Sequence, residues 1–539
     1  MKSQYFNLSS YDYIIVGAGS AGSLIANRLS ANPRHSVLLV EAGPISKNFW
    51  LKLPIGYYKT MINPKFAREF LTESHPGTAG RQIVWPRGRV LGGSSAINGL
   101  VFMRGQKEDF NDWCALGAPG WTYSEVLPFF RRLENFQGGN GQYHGALGEM
   151  SVSNLRNDNA CCHAWLKAAQ EYGLPYNEDF NAHTTYGVGS YQLSITGRWR
   201  SSAASAYLLP IMHRSNLTVL TEAFTNRILF RDKRAYGIEW TKNGKVYRAE
   251  ARSEIILSAG TIQSPQILQL SGVGPKNLLQ KFGIPVVVNA PSVGQNLQDH
   301  YQMRLVVRLK GGGSLNTESR NPLNIAKWAM EWLLNASGPL TVGAGQVGGG
   351  ACTKFATNNR PDVQLFIMPL SLDKAGDPLH KFPGFTAVVW QCHPKSRGQV
   401  NIVSSNPFEQ PKIEPNYFLE KDDRKVMVEG VKILRKIFAQ PSFRNLWDTE
   451  IIPGAQFTED QAIWEQITKS GTTVYHPVGT CRMGTDPEAV VDPDLKVRGV
   501  LGLRVIDASV MPKITSANTN APTLMIAEKG TNAILMEQI

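Results

Sequence analysis

Three glycines, Gly17, Gly19 and Gly22, follow the apolar run Tyr13-Ile-Ile-Val16 and open a stretch that reads as a helix to about Ser30. That spacing turns helix-start N–H groups toward a pyrophosphate. Gly17 permits the tight turn, Gly19 the close approach of the ligand, and Gly22 the packing of helix on strand. Ser20 and Ala21 lie inside the same turn and count as contacts of the same ligand. Glu41 ends the next apolar run, Ser36-Val-Leu-Leu-Val40, where a carboxylate can accept from ribose hydroxyls. A second glycine and serine loop, Arg87-Gly-Arg89-Val-Leu-Gly92-Gly93-Ser94-Ser95, supplies further backbone and hydroxyl donors too far along to belong to the first. Asp507 closes the run Gly502-Leu-Arg-Val-Ile and precedes the small Ala508 and Ser509, a place to meet a ribityl chain or a phosphate. The first fingerprint does not separate FAD from NAD. Two anion-cradling loops and Asp507 lean toward FAD, a long cofactor buried lengthwise.

The elements that must hold these groups can be read around them. The two apolar runs flanking the first helix make a βαβ unit, the opening of a doubly wound α/β sheet. Leu217–Thr221, Arg227–Phe230 and Ala235–Trp240 read as successive strands. Glu254–Gly260 reads as a buried strand ending in a tight turn, with a helix from about Ser264 to Leu270. From about Tyr301 to Phe457 the texture changes. Long strand-like runs (Pro361–Met368, Thr386–Cys392) alternate with glycine-rich loops such as Gly343–Gly350, and helices are expected at 322–335 and 421–439. Strands followed by helices fit α+β. The expectation is a discontinuous Rossmann-like FAD-binding domain, residues 1–155, 200–300 and 465–539. A substrate domain on an antiparallel sheet would comprise 156–199 and 301–464.

Composition narrows the class. With 42% hydrophobic and 18% charged residues in 539, the chain is globular and not disordered. The net charge of +13 is spread out, with no run of five or six like charges, so no basic tail for nucleic acid exists. A diffuse positive surface suits anionic cofactors or a loose hold on anionic lipid. Six cysteines show neither C-x-x-C nor zinc spacing, which argues against a disulfide scaffold or a metal site and fits a reducing compartment; Cys161 and Cys162 read as ordinary thiols. Met1–Tyr11 lacks the pattern of a secretory signal. No apolar stretch reaches the roughly 18 residues needed to span a bilayer; the nearest, Ile325–Leu334, is interrupted by Lys327 and Glu331. A cytoplasmic protein is expected, with peripheral attachment to the inner membrane left open.

Longer motifs carry a resemblance. Arg87 through Asn98-Gly99 resembles the first signature of the glucose–methanol–choline (GMC) family of FAD oxidoreductases, and Gly260 through Gly274 resembles its second. Val293–His300, Tyr475–Gly484 and Asp507–Pro512 with Asn518–Thr523 complete the series in family order, so the likeness covers essentially the whole chain. It is closest to the choline-dehydrogenase-like branch, which includes aliphatic alcohol, sorbose and polyethylene glycol dehydrogenases. By type alone, a histidine before proline reads as structural. The resemblance instead implies that His476 is the catalytic histidine at the flavin face and that Asn518 stands where relatives have a second histidine or an asparagine. It places Asn98 near the reactive edge of the isoalloxazine, Thr225 at the adenine, Asp507 and Ala508 at the ribityl–phosphate part, and Asn520 on the pyrimidine side.

Those types suit the chemistry. Hydride leaves an alcohol carbon more easily once the oxygen carries negative charge, and a neutral imidazole can take the hydroxyl proton while an amide N–H holds the oxygen. Ile97 stands where some relatives tether flavin through a histidine, so non-covalent FAD is expected. Gln346 falls in a loop where some relatives carry an acidic residue, which counts against choline itself. Trp328 and Trp332, four apart on a helix, are read first as core packing, with a place on the substrate-cavity wall as the alternative, and Met525 is likewise read as core. The function expected is FAD-dependent oxidation of a primary alcohol or polyol, with an oxygen-reducing oxidase and a choline dehydrogenase as alternatives of the same family and a hydroxynitrile lyase as a remote one. No motif names the electron acceptor, whether quinone, carrier or oxygen.

Overall fold

The short β-branched runs of the first unit are buried on both faces, as a parallel sheet under helices requires. In the computed structural model, which describes residues 6–7, 10–374 and 376–537, Tyr11–Val16 and Val37–Val40 pair in parallel around the helix Ser20–Leu29. Most of the Met1–Tyr11 stretch read for a leader lies outside the described residues. Leu217–Leu220 extends the sheet on one side. On the other side comes the C-terminal half of Lys245–Leu257, and beyond it Leu503–Val505 from the far end of the chain. The N-terminal half of the same long strand turns away to form an antiparallel meander with Arg234–Lys242 and Phe224–Arg231. Helices Ser20–Leu29 and Asn520–Met536 pack together over the parallel strands. Fold class is thus as expected for this part: α/β, with a discontinuous sheet.

A second sheet is antiparallel throughout, in the order Val347–Ala351, Val363–Met368, Gly384–Gln391, Tyr301–Leu309, Trp447–Ile452, with the short Thr472–Thr473 on the end of Tyr301–Leu309. Side chains alternate across a strand. Leu305, Val307, Ala387 and Val389 therefore point to one face, where they join helices Ala160–Glu171 and Lys421–Phe438 in a core. Their neighbours Gln302, Arg304, Val388 and Trp390 point the other way, toward the nucleotide sheet. A 3.6-residue apolar pattern accounts for the long helix 421–438, whose Val426, Met427, Val431, Leu434 and Phe438 are all buried. The space between the two sheets is where the ligand must go.

One expectation fails here. Trp328 and Trp332 do not pack in a core: their helix, Pro322–Asn335, has no buried residue. Met525, by contrast, is fully buried in the helix Asn520–Met536. All six cysteines are free, and burial pushes the thiols of Cys161 and Cys162 up. Among the described residues no helix is long and apolar enough to cross a membrane, and no cluster of ligating side chains could hold a metal.

The glycine turn separates structural from ligand constraints. A Cβ on Gly22 would sit 1.8 Å from the Gly17 carbonyl oxygen, whereas one on Gly19 would meet no protein atom within 4 Å. Gly22→Ala is expected to lower unfolding stability by about 1–3 kcal/mol through overpacking. Gly19→Ala should leave the melting transition nearly unchanged yet reduce the flavin-to-protein absorbance ratio. Equal melting losses in both variants would contradict this division.

Candidate active site

A cavity of about 630 Å³ runs between the two sheets. One end is formed by Glu41, Phe224 and Thr225, the other by His476, Asn518, Trp390 and Phe366. Every site residue expected from sequence lines it except Gly22 and Gly92. Gly22 packs helix on strand, as its spacing suggested. Gly92 holds a left-handed φ of 92° and its N–H donates to the Ala18 carbonyl at 2.8 Å, so it joins the two loops and does not face the ligand. The loops lie back to back, since a Cβ on Gly93 would come within 2.7 Å of Gly19 Cα. Ser94 closes the second loop on itself by accepting from the Gly88 N–H at 3.1 Å. Arg89 and Gly99 line the same cavity.

The two acids differ in what they have left to offer. Glu41 accepts from Ala18 N–H at 2.8 Å and from Gly43 N–H at 2.7 Å, one bond to each oxygen, which leaves lone pairs for a ribose. Asp507 accepts four bonds: from Gly260 N–H and Ser264 Oγ on one oxygen, and from Ser509 N–H and Ser509 Oγ on the other. Its carboxylate is filled by capping two helix starts, so the expected carboxylate contact with a ribityl chain gives way to a positioning role for the backbone at Asp507 and Ala508. Asn520 accepts from Ser20 Oγ at 2.7 Å, tying the start of the last helix to the first glycine turn.

The chemistry sits at the other end. His300 Nε2 lies 2.9 Å from the carbonyl of Cys392, and His300 Nδ1 lies 3.1 Å from His476 Nδ1. A carbonyl can only accept, so Nε2 of His300 carries the proton. Burial pushes the His300 pKa down to about 4, so the ring is neutral and its Nδ1 accepts. His476 must then be protonated on Nδ1, which leaves Nε2 as a lone pair. Asn518 Nδ2 donates to that atom at 3.1 Å, while Asn518 Oδ1 is buried with no partner among the described residues. Burial, His300 and Arg87 hold the His476 pKa well below the usual range. A neutral base with its lone pair toward the cavity is thereby built from fixed donors and acceptors.

Asp299 fixes the segment that carries this base. It is buried, and one oxygen accepts the backbone N–H of His476 at 2.8 Å. The other accepts from Thr473 Oγ1 at 2.6 Å and from the Tyr417 hydroxyl. Burial raises the Asp299 pKa to about 6 against these bonds. Tyr475, next to the base, is held at φ 66°, a conformation rare for a bulky residue, with its N–H on Thr473 Oγ1.

Sequence reading did not single out Arg200, Asp299, His300, Gln302 or Arg304. Asp299 and His300 stood inside a quoted motif, where an acid followed by a histidine was the available signal. Arg200 is buried, donates to Asn98 Oδ1 at 2.7 Å and to the Ser95 carbonyl at 3.2 Å, and burial brings its pKa down to about 9. Nothing in the chain near Arg200 marks it, because its partners are about a hundred residues away. Gln346 is corrected outright: it is buried, accepts from Asn157 Nδ2 at 2.7 Å and does not line the cavity.

The arrangement fits FAD. The open space at Gly19, the two helix starts at Ser20 and Asn520, the orphaned Asn518 oxygen and the length of the cavity each suit a dinucleotide with a ring system at the histidine end. Ile97 lines the cavity with an alkyl side chain that cannot bond a flavin. Two outcomes test the base. His300→Phe should slow flavin reduction roughly 10–100-fold by releasing the tautomer, with FAD content unchanged. Because His300 and His476 stay neutral well below pH 6.5, an acid limb near pH 6 in the reduction rate belongs to Asp299 and should vanish in Asp299→Asn. A limb that survives that change would assign it to an imidazole.

The comparisons agree with this geometry. The family description GMC oxidoreductase matches residues 11–302 with its N-terminal model and 394–527 with its C-terminal model. The chain is 38% identical to alcohol dehydrogenase (acceptor) of Pseudomonas putida over 97% of this chain and 96% of that protein. It is likewise 38% identical to mitochondrial choline dehydrogenase of Homo sapiens, over 97% and 89%. Among solved structures, pyridoxine 4-oxidase from Mesorbium loti superposes with a TM-score of 0.88 at 28% identity, covering 97% of this chain and 99% of that one. Formate oxidase of Aspergillus oryzae RIB40, in a study of FAD modification, superposes at 0.91 with 26% identity and 98% coverage of both. With both halves of the family matched and a full-length relative at this identity, the chain belongs to the GMC oxidoreductases.

Proposed function

We propose that this enzyme oxidises a primary alcohol or polyol to the aldehyde or ketone with non-covalently bound FAD. The observation that carries the reading is the lone pair on His476 Nε2, set by the chain from the Cys392 carbonyl through His300. FAD, when bound, supplies the acceptor for the hydride that leaves the alcohol carbon. His476 Nε2 takes the hydroxyl proton, and Asn518 Nδ2, now donating to that nitrogen, turns to hold the oxygen as its charge grows. Asp299 keeps the imidazole in place while it gains a proton, and burial between the sheets excludes water from it.

Substrate charge follows from the walls. Among the described residues, the only carboxylates lining the cavity are Glu41 and Asp507, both bound to backbone N–H groups at the nucleotide end. At the histidine end, the substrate-facing sheet offers Gln302 and Arg304. A quaternary ammonium finds no counter-charge there, only aromatic faces such as Trp390. This supports a neutral alcohol over choline, in the terms that Gln346 was expected to provide. A division into an FAD-binding and a substrate domain is supported by the two separate apolar cores, although the second core also draws in Phe70, Ile83, Trp85, Ile262 and Leu297 from stretches assigned to the first domain. The six free thiols support a cytoplasmic setting. The electron acceptor we leave as a class, a quinone, a carrier or oxygen.

Anaerobic mixing with alcohols tests the reading. Neutral primary alcohols should bleach the flavin. Choline should be turned over at a kcat/KM roughly tenfold or more below that of its neutral carbon isostere, a difference of about 1.4 kcal/mol. His476→Ala should keep FAD and lose roughly 10²–10⁴ in reduction rate. Fast reduction in that variant, or a preference for choline, would overturn the corresponding claim.

A further inference from the structure

The helix Pro322–Asn335 is amphipathic with its faces reversed. At 3.6 residues per turn, Ile325, Ala329, Leu333, Ala326, Met330, Leu323 and Leu334 sweep an apolar arc of about 180°, and this arc faces solvent. Leu323 is 76% exposed, Leu334 66%, Met330 53%, and Ile325 and Leu333 51% each. What holds the helix to the body is the opposite side. Trp332 donates from Nε1 to the Arg198 carbonyl at 3.1 Å and meets Trp199 and Phe49 edge-on at 4.9 and 6.1 Å. Phe49 begins the segment Phe49–Ile62, whose Leu51 and Leu53 are buried while Phe49 is 48%, Tyr58 38% and Ile62 40% exposed. The two segments meet at the Phe49–Trp332 contact. Soluble monomers rarely leave such a patch bare without a partner.

Charge identifies the partner. From residue 42 to residue 68 the chain carries Lys47, Lys52, Lys59, Lys65 and Arg68 and no aspartate or glutamate. All four lysines are exposed, and Lys59 Nζ sits 3.7 Å over the Trp50 ring beside the patch. An apolar arc with a lysine collar is the pattern of a helix lying in a lipid–water interface over anionic headgroups. A twofold contact between copies would instead bring two positive collars together. The same segment leads into the cavity, since Tyr57, Tyr58 and Met61 line its wall.

We propose that the helix Pro322–Asn335 and the segment Phe49–Ile62 together dock the enzyme on an anionic phospholipid bilayer, with the apolar arc in the interface and the lysines on headgroups. The cavity wall at Tyr57–Met61 then lies beside the membrane, so that lipid-soluble molecules reach it without crossing bulk water. Docking on this surface is independent of the oxidation chemistry, and its test reads no turnover.

The holoprotein is sedimented with vesicles of phosphatidylglycerol and phosphatidylcholine in equal parts, and with phosphatidylcholine alone. The mixed vesicles should carry it down, in a salt-sensitive way, roughly tenfold or more better than the neutral ones. The triple variant Leu323→Asp, Met330→Asp, Leu334→Asp changes only exposed positions. It should keep its flavin and melting temperature and lose vesicle binding roughly tenfold or more. Lys47→Glu with Lys52→Glu and Lys65→Glu should remove the preference for anionic vesicles. Equal binding to both vesicle types, or binding by the triple variant at the wild-type level, overturns the proposal. So does a wild type that ignores vesicles, above all one that runs as a dimer which the triple variant splits, because the patch is then an interface between copies.

Discussion

A carboxylate taken out of water is costly unless donors surround it, and Asp299 is surrounded. Three hydrogen bonds converge on it from Thr473, Tyr417 and the backbone of His476. Those donors come from two parts of the chain, the segment 473–476 and Tyr417, and Asp299 itself stands just ahead of the strand Tyr301–Leu309 at the centre of the second sheet. The segment that carries His476 is thus tied to the second sheet by this buried acid together with backbone pairing, Thr472–Thr473 on Tyr301–Leu309 and Val474 N–H on the His300 carbonyl. The strained backbone at Tyr475 and the ring-to-ring contact of His476 with His300 lie within the stretch these bonds hold. Asp299 acts on the imidazole through the His476 backbone N–H, and none of the ring's own bonds involves it.

Much of this architecture can be read along the chain. Parallel strands under helices are uniformly apolar, and the runs at 13–16, 37–40 and 255–257 announce themselves for that reason. The glycine turn is legible because φ and steric constraints act locally: Gly17 at φ 98° and Gly22 against the Gly17 carbonyl are properties of six consecutive residues. Roles fixed by distant partners are not legible in this way. Arg200 looks like any arginine until Asn98 is brought beside it, and His300 is a tautomer switch only because the Cys392 carbonyl caps its far nitrogen. The tryptophans at 328 and 332 show a second limit. Periodicity reveals which side of a helix is apolar but not what covers it, and here the protein covers only the tryptophan side.

The two sheets divide the work by their geometry. The parallel sheet presents strand ends and helix starts, which are suited to phosphates. The antiparallel sheet presents a flat face, on which alternate residues of neighbouring strands make a wall of chosen polarity. Trp390, Val388, Arg304 and Gln302 are such alternates. Their partners on the reverse face belong to a tightly buried core, so the wall is stiff, and a change of substrate preference can be made on it one side chain at a time without disturbing the nucleotide end.

The strand Leu503–Val505 completes the first sheet, and the helix after it returns Asn520 to Ser20 and Glu528 to Arg28. On the ribosome this order has a cost in time. Synthesis at roughly 5–20 residues per second leaves the buried strand at 255–257 without its outer neighbour, and the flavin cavity without one wall, until residues 503–523 emerge. A finished flavin site therefore waits on the synthesis of residues 503–536, and until then the open sheet edge at 255–257 stays unpaired.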